Sequence, residues 1–102
     1  MPKIELNIPH SLTKDEALTR IKNFLPQLKE QHADQIKDLE ESWNGNTGVF
    51  QFKISGFKVS GSLEVEESSV VIKGDLPFAA ILFKGQIEET IRAKAVELLR
   101  VK

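Results

Sequence analysis

The chain has no cysteine. That excludes a disulfide framework, a thiolate zinc site and a cysteine nucleophile at once, and it fits a reducing compartment. Nor is there a surplus of basic charge. Fourteen Lys and Arg stand against 15 Asp and Glu, for a formal net charge of −1. A surface that grips a phosphate backbone needs excess cations, so the balance argues against general nucleic-acid binding. No run of roughly 18 apolar residues occurs, so no transmembrane helix is expected. The first residues, Met1-Pro2-Lys3-Ile4-Glu5-Leu6, include an acid and lack the apolar core of a signal peptide. The expectation is a soluble cytoplasmic protein. Repeats, low-complexity tracts and linkers are missing too. So are a phosphate-cradling glycine loop, a metal-ligand cluster and a catalytic constellation. The residues therefore lead to an architecture more directly than to a reaction.

What is present is alternation. Phe50, Phe52 and Ile54 point one way, with Gln51, Lys53 and Ser55 opposite. After Gly56, Phe57, Val59, Leu63 and Val65 alternate with Lys58, Ser60, Ser62, Glu64 and Glu66. Val70, Ile72 and Leu76 repeat the pattern. A period of two with one polar face predicts antiparallel strands covered on one side only. Asn44 to Gly48, Ser55-Gly56 and Glu67-Ser68-Ser69 are turn clusters at hairpin spacing. Gly61 and Gly74 fall on the inward face, where glycine marks a bulge, a bend or a close approach.

A short first strand, Ile4-Leu6-Ile8, ends at Pro9. Thr13-x-x-Glu16 is a capping box, with Leu12 and Ala17 spaced as its hydrophobic staple. The helix that follows carries its stripe through Leu28 and on to His32. Pro26, on the outer face, is expected to kink or split it near Lys22. Residues 36–43 fit two periods: Ile36, Leu39 and Trp43 are helical, while Leu39, Glu41 and Trp43 are strand-like. A strand over 37–44 is preferred, because Trp43 runs straight into a turn. Pro77 suits a helix entry, and Ala80, Phe83, Ile87, Ile91 and Leu98 form a stripe on a final helix. The 102 residues make one domain. At this length folding buries roughly 60–70% of the unfolded chain's surface, enough for a core without staples. The expected order is β-α-β-β-β-β-α: an α+β fold with a curved antiparallel sheet and two helices packed on one face.

Phe78, Ile81 and Leu82 are the odd residues. On a helix through Ile87 they point away from the stripe. Either residues 77–83 are irregular and tuck into the open end of the core, or they form an apolar patch for a partner, an oligomer or a hydrophobic surface. The second alternative requires some of the three side chains to be solvent-accessible. His10 and His32 lack a third ligand at suggestive spacing, so no metal site is expected. His10 beside Ser11 is a poor nucleophile–base pair, with no orienting acid in view. Glu64, Glu66 and Glu67 read as a solvated strand end rather than an acid–base pair. Trp43 reads as core or rim packing.

The chain resembles the putative polyhydroxyalkanoic acid system family, small bacterial proteins named for their association with storage-polyester genes. Pro9-His10-Ser11-Leu12 looks like that family's Pro-His-Ser/Thr-Leu entry to its first helix. Trp43-Asn44-Gly45 resembles its Trp-x-Gly turn, and Gly56 to Leu63 its Gly-x-Leu strand. Leu76-Pro77-Phe78 and Phe83 to Glu88 resemble its lead into the last helix. Ile8 departs from the pattern, which has a basic residue there, and so weakens any anion site at that strand end. The resemblance implies no established reaction, no cofactor and no catalytic residues. The leading expectation, joining this setting to the apolar patch read from the residues, is a non-enzymatic accessory protein of polyester storage that binds a granule or a granule-associated protein, with Phe78, Ile81 and Leu82 as candidate contacts. A second expectation is a carrier of a small hydrophobic ligand, acyl or hydroxyacyl, in a cavity between sheet and helix. That cavity would be lined by Phe50, Phe52, Phe57 and Phe83. An enzyme on hydroxyacyl thioesters would need a base and an oxyanion site that nothing nominates. Nucleic-acid binding would have to rest on Lys53, Lys58 and Lys73 alone.

Overall fold

The computed structural model describes residues 2–101. The chain runs β1 (Lys3–Pro9), α1 (Lys14–Ile21), α2 (Phe24–Gln31), β2 (Ile36–Asn44), β3 (Thr47–Ile54), β4 (Phe57–Val65) and β5 (Ser69–Asp75). A 3-10 helix, Phe78–Phe83, then leads into α3 (Lys84–Leu99). The five strands form one antiparallel sheet in the order β1-β5-β4-β3-β2. The architecture is α+β, with the helices over one face of the sheet. A single buried cluster joins them: Ile4, Leu6, Leu63, Val65 and Ile72 from the strands meet Ile21, Phe24, Leu25, Ala95 and Leu99 from the helices.

The strands follow from alternation and turn chemistry. Ser55 and Gly56 link β3 to β4 with φ of 50° and 84°, the left-handed pair that a two-residue hairpin with the right twist demands. β2 is a strand, and it shows why its sequence fits two periods. Lys37 pairs with Lys53 and Glu40 with Gln51, so Asp38 and Leu39 together face Phe52. This is a β-bulge, with Asp38 at φ 55°. The extra residue shifts the inward parity from Ile36 to Leu39 and Trp43. A strand interrupted this way has the i, i+3 spacing of a helix.

Thr13 caps α1, its hydroxyl accepting from the Glu16 amide at 3.1 Å. The reciprocal half of the expected capping box is replaced by a different contact. The Glu16 carboxylate is turned to Arg20 Nε, 3.0 Å away. Arg20 in turn donates through Nη1 to the Arg100 carbonyl at 2.8 Å and to the Leu98 carbonyl at 3.4 Å. It thereby fastens the end of α3, where carbonyls have no helical partners. The first helical stretch breaks at Lys22 and Asn23, between α1 and α2. Pro26 falls in the first turn of α2, where a missing N–H costs nothing.

The last helical stretch differs from expectation. A regular α-helix begins at Lys84, not Ala80, and the preceding turn is 3-10. The residues most buried on α3 are Lys94, Ala95 and Leu99. The expected stripe residues Ile87, Ile91 and Leu98 are only half-buried. The C-terminal half of α3 packs closely on the core, and the N-terminal half stands off from it.

Candidate functional site

That stand-off has two consequences, both close to Phe83. The first is on the surface. A 3-10 helix has three residues per turn, so only every third side chain points the same way. Ala80 takes the inward position and is 1% exposed. Phe78 and Ile81 share a second ridge and Leu82 lies on a third. They are 73%, 49% and 89% exposed respectively, with Phe83 at 49%. The backbone of residues 78–83 is thus not α-helical, yet its large side chains do not tuck into the core. Four bulky apolar residues lie consecutively or nearly so in a six-residue segment.

The second consequence is a cavity of about 370 Å³ between the sheet, α2 and the first half of α3. Phe50 and Phe52 form its aromatic floor, their ring centroids 5.9 Å apart and the planes 19° from parallel. Phe57 and Phe83 line it as well. The structure therefore brings together all four phenylalanines singled out in the sequence. It also adds residues that the sequence did not nominate for this role, among them Phe24, Leu25, Ile36, Ile87 and Ile91. Ile87 and Ile91 were legible as one stripe. That the stripe covers a space rather than a packed core was not.

The sheet contributes to this space through glycine. Ile4, Gly74, Gly61 and Phe50 are cross-strand neighbours in one row on the inner face. Two adjacent positions in that row carry no side chain. At Gly61 there is no room for one, since a Cβ would meet the Lys73 carbonyl oxygen and lie 2.9 Å from Phe50 Cζ. At Gly74, which lines the cavity, a Cβ would make only ordinary contacts of 3.7 and 3.9 Å.

Elsewhere the sequence candidates fall into structural places. His10 Nδ1 accepts from the Leu12 amide at 3.1 Å, so its proton is on Nε2, which donates to the Glu66 carbonyl at 3.0 Å. Both ring nitrogens are held by backbone, and neither is left to activate Ser11. The motif histidine ties the entry of α1 to the β4–β5 hairpin. Of the three outer-face lysines, Lys53 lies 3.7 Å from Asp38 and Lys73 3.8 Å from Glu5, so two of them are paired with carboxylates. Ser69 Oγ donates to Glu66, which places that acid in a turn rather than a reactive pair. Trp43 packs at the rim with the Lys22 ammonium 5.7 Å from its ring centroid. Among the described residues, no three His, Asp or Glu side chains converge to hold a metal ion. Among the same residues, no helix is long and apolar enough to cross a membrane.

The family model described as putative polyhydroxyalkanoic acid system protein matches residues 4–99. No curated protein matches the chain. Among solved structures, the crystal structure of TTHA0849 from Thermus thermophilus is similar over 95% of this chain and 92% of that one, at 15% identity and a TM-score of 0.49.

Proposed function

The chain belongs to the putative polyhydroxyalkanoic acid system protein family, and from that premise we propose that it is a cytoplasmic, non-enzymatic accessory protein that docks on the surface of polyester granules. The observation that carries this reading is the exposed apolar segment Phe78–Phe83, with Phe78 and Leu82 73% and 89% exposed. Large aliphatic and aromatic side chains held out from a folded body are matched by an apolar surface or partner. The segment is anchored at Ala80 and at the start of α3, so it can present its side chains without unfolding. Docking would be that of a folded domain. A coating protein of the usual kind relies on long amphipathic helices lying in the interface.

The test is co-sedimentation of the purified protein with isolated granules and with protein-free polyester particles, against an unrelated soluble protein of similar charge. Specific sedimentation with both, lost in Phe78→Asp and Leu82→Asp, is the expected result. Sedimentation with native granules alone would replace the polyester by a granule-bound protein as the partner. No sedimentation with either would remove direct docking.

A further inference from the structure

We infer that the cavity beneath α3 is a binding site for one aliphatic acyl chain with a polar end, and that its ligand class is the medium-chain 3-hydroxyacyl group. About 370 Å³ of space, partly open to solvent, is far more than a single water needs. It also falls in the range in which small-molecule sites begin.

The distribution of polarity gives the orientation. The deep wall is apolar and closed: Phe24, Leu25, Ile36, Val59 and Ile72 are each at most 4% exposed. Nothing on that wall offers a hydrogen bond to a buried polar atom, and an unpaired polar group there would lose its hydration without compensation. Gln35, Ser55, Gln86 and Thr90, polar members of the lining, are all exposed. A ligand must therefore enter chain first and leave its polar end at the rim. Charge at the rim is sparse. Lys73 is turned to Glu5, and the other polar groups are amides, hydroxyls and the His32 imidazole. They can hydrogen-bond an oxygenated end such as a hydroxyl, a carboxylate, an ester or a thioester. Membership of a polyhydroxyalkanoate family narrows an aliphatic chain with an oxygenated end to the hydroxyacyl unit. The mouth includes Phe83, the last residue of the exposed 3-10 segment. A chain leaving an apolar surface would meet that residue first. Binding itself does not depend on granule docking, and the assay below contains no polyester.

The probes are 3-hydroxydecanoic acid, its coenzyme A thioester, and 3-hydroxybutyric acid, titrated by calorimetry below the micellar range. One equivalent of each long-chain probe is expected to bind. Affinity should rise about three- to fourfold for each added methylene until the cavity is filled, and the four-carbon acid should not register. Tighter binding of the free acid or of the thioester identifies the source of the chain. Two substitutions fill the space from opposite walls: Gly74→Val from the sheet and Ile91→Trp from α3. Each should weaken binding about tenfold or more while leaving the circular dichroism unchanged. Should one fail to fold, the other decides. Independently of both, ring protons of Phe50, Phe52, Phe57 and Phe83 in the unaltered protein should shift on titration and show contacts to the chain. No saturable binding of either ten-carbon probe would overturn the inference. So would affinity that ignores chain length, or retention of full affinity by a folded, cavity-filled variant.

Discussion

The indole of Trp43 lies against the bare Cα of its cross-strand partner Gly48. A Cβ added there would be 2.6 Å from Trp43 Cε2. Trp43 Nε1 is buried beneath this contact without a hydrogen-bond partner, so the indole is held by packing. An aromatic ring laid over a strand glycine recovers the contact area that glycine lacks. Trp43 is on an edge strand and half-buried, so its ring has somewhere to move. Gly48→Ala should cost about 1–2 kcal/mol, the ordinary range for overpacking that a side chain can relieve. Urea denaturation followed by Trp43 fluorescence reads both the stability and the displaced ring.

Gly61 and Gly74 are direct cross-strand neighbours, yet their substitutions should differ sharply. A Cβ at Gly61 runs into the backbone oxygen of Lys73, which cannot yield without breaking the β4–β5 ladder. Gly61→Ala should cost about 3 kcal/mol or more, the upper end of overpacking. At Gly74 the same atom meets only ordinary neighbours, and alanine restricts the unfolded chain. Gly74→Ala should be neutral or stabilising by up to about 1 kcal/mol. Equal losses at the two positions would mean that the inner row of the sheet is not as described. The contrast separates a structural glycine from one that merely leaves room in the cavity.

Arg20 joins the first helix to the end of the last. One guanidinium reaches Glu16 and two carbonyls at the end of α3. Arg20→Ala should cost about 1 kcal/mol, since each bond is partly solvated. It should also speed amide exchange at residues 98–100 ahead of the sheet. Arg20→Lys should rescue little, because one ammonium cannot supply the fork that spans these acceptors.

His10 makes a comparable link with less charge. His10→Ala removes one bond to Leu12 and one to Glu66, and should lower stability by about 1–2 kcal/mol. Equilibrium unfolding in urea measures the loss, and unchanged stability would mean that these two bonds do not hold the α1 entry to the hairpin.

These positions also mark how far the sequence could be read. The strands β3, β4 and β5 were legible because the inward residues keep strict parity within each strand: Phe50 and Phe52, then Val59, Leu63 and Val65, then Val70 and Ile72. The four phenylalanines of the cavity were legible for the same reason: parity and helical spacing say which way a side chain points. β2 was ambiguous because the bulge at Asp38 breaks parity inside the element. The start of α3 was misplaced because Phe78 to Phe83 has no capping residue and its apolar run satisfies a three-residue turn as well as a longer one. The size of the cavity was not legible at all. It depends on the distance between α3 and the sheet, and that is set where Ala95 and Leu99 pack, far along the chain from the phenylalanines.

The patch and the cavity meet at Phe83, so the last prediction is that they can be separated. Phe78 and Leu82 project into solvent, and Phe78→Asp with Leu82→Asp removes no packed contact. Stability should change by no more than about 0.5 kcal/mol per site, as for surface positions generally. Granule co-sedimentation should be lost while ring-proton shifts with 3-hydroxydecanoic acid persist. Ile91→Trp should do the reverse, keeping sedimentation and losing the shifts, because Ile91 lines the cavity and lies well along α3 from the exposed segment. Loss of both properties in either variant would mean that the segment and α3 move as one unit. Phe83 would then be a hinge between surface and cavity rather than a residue they merely share.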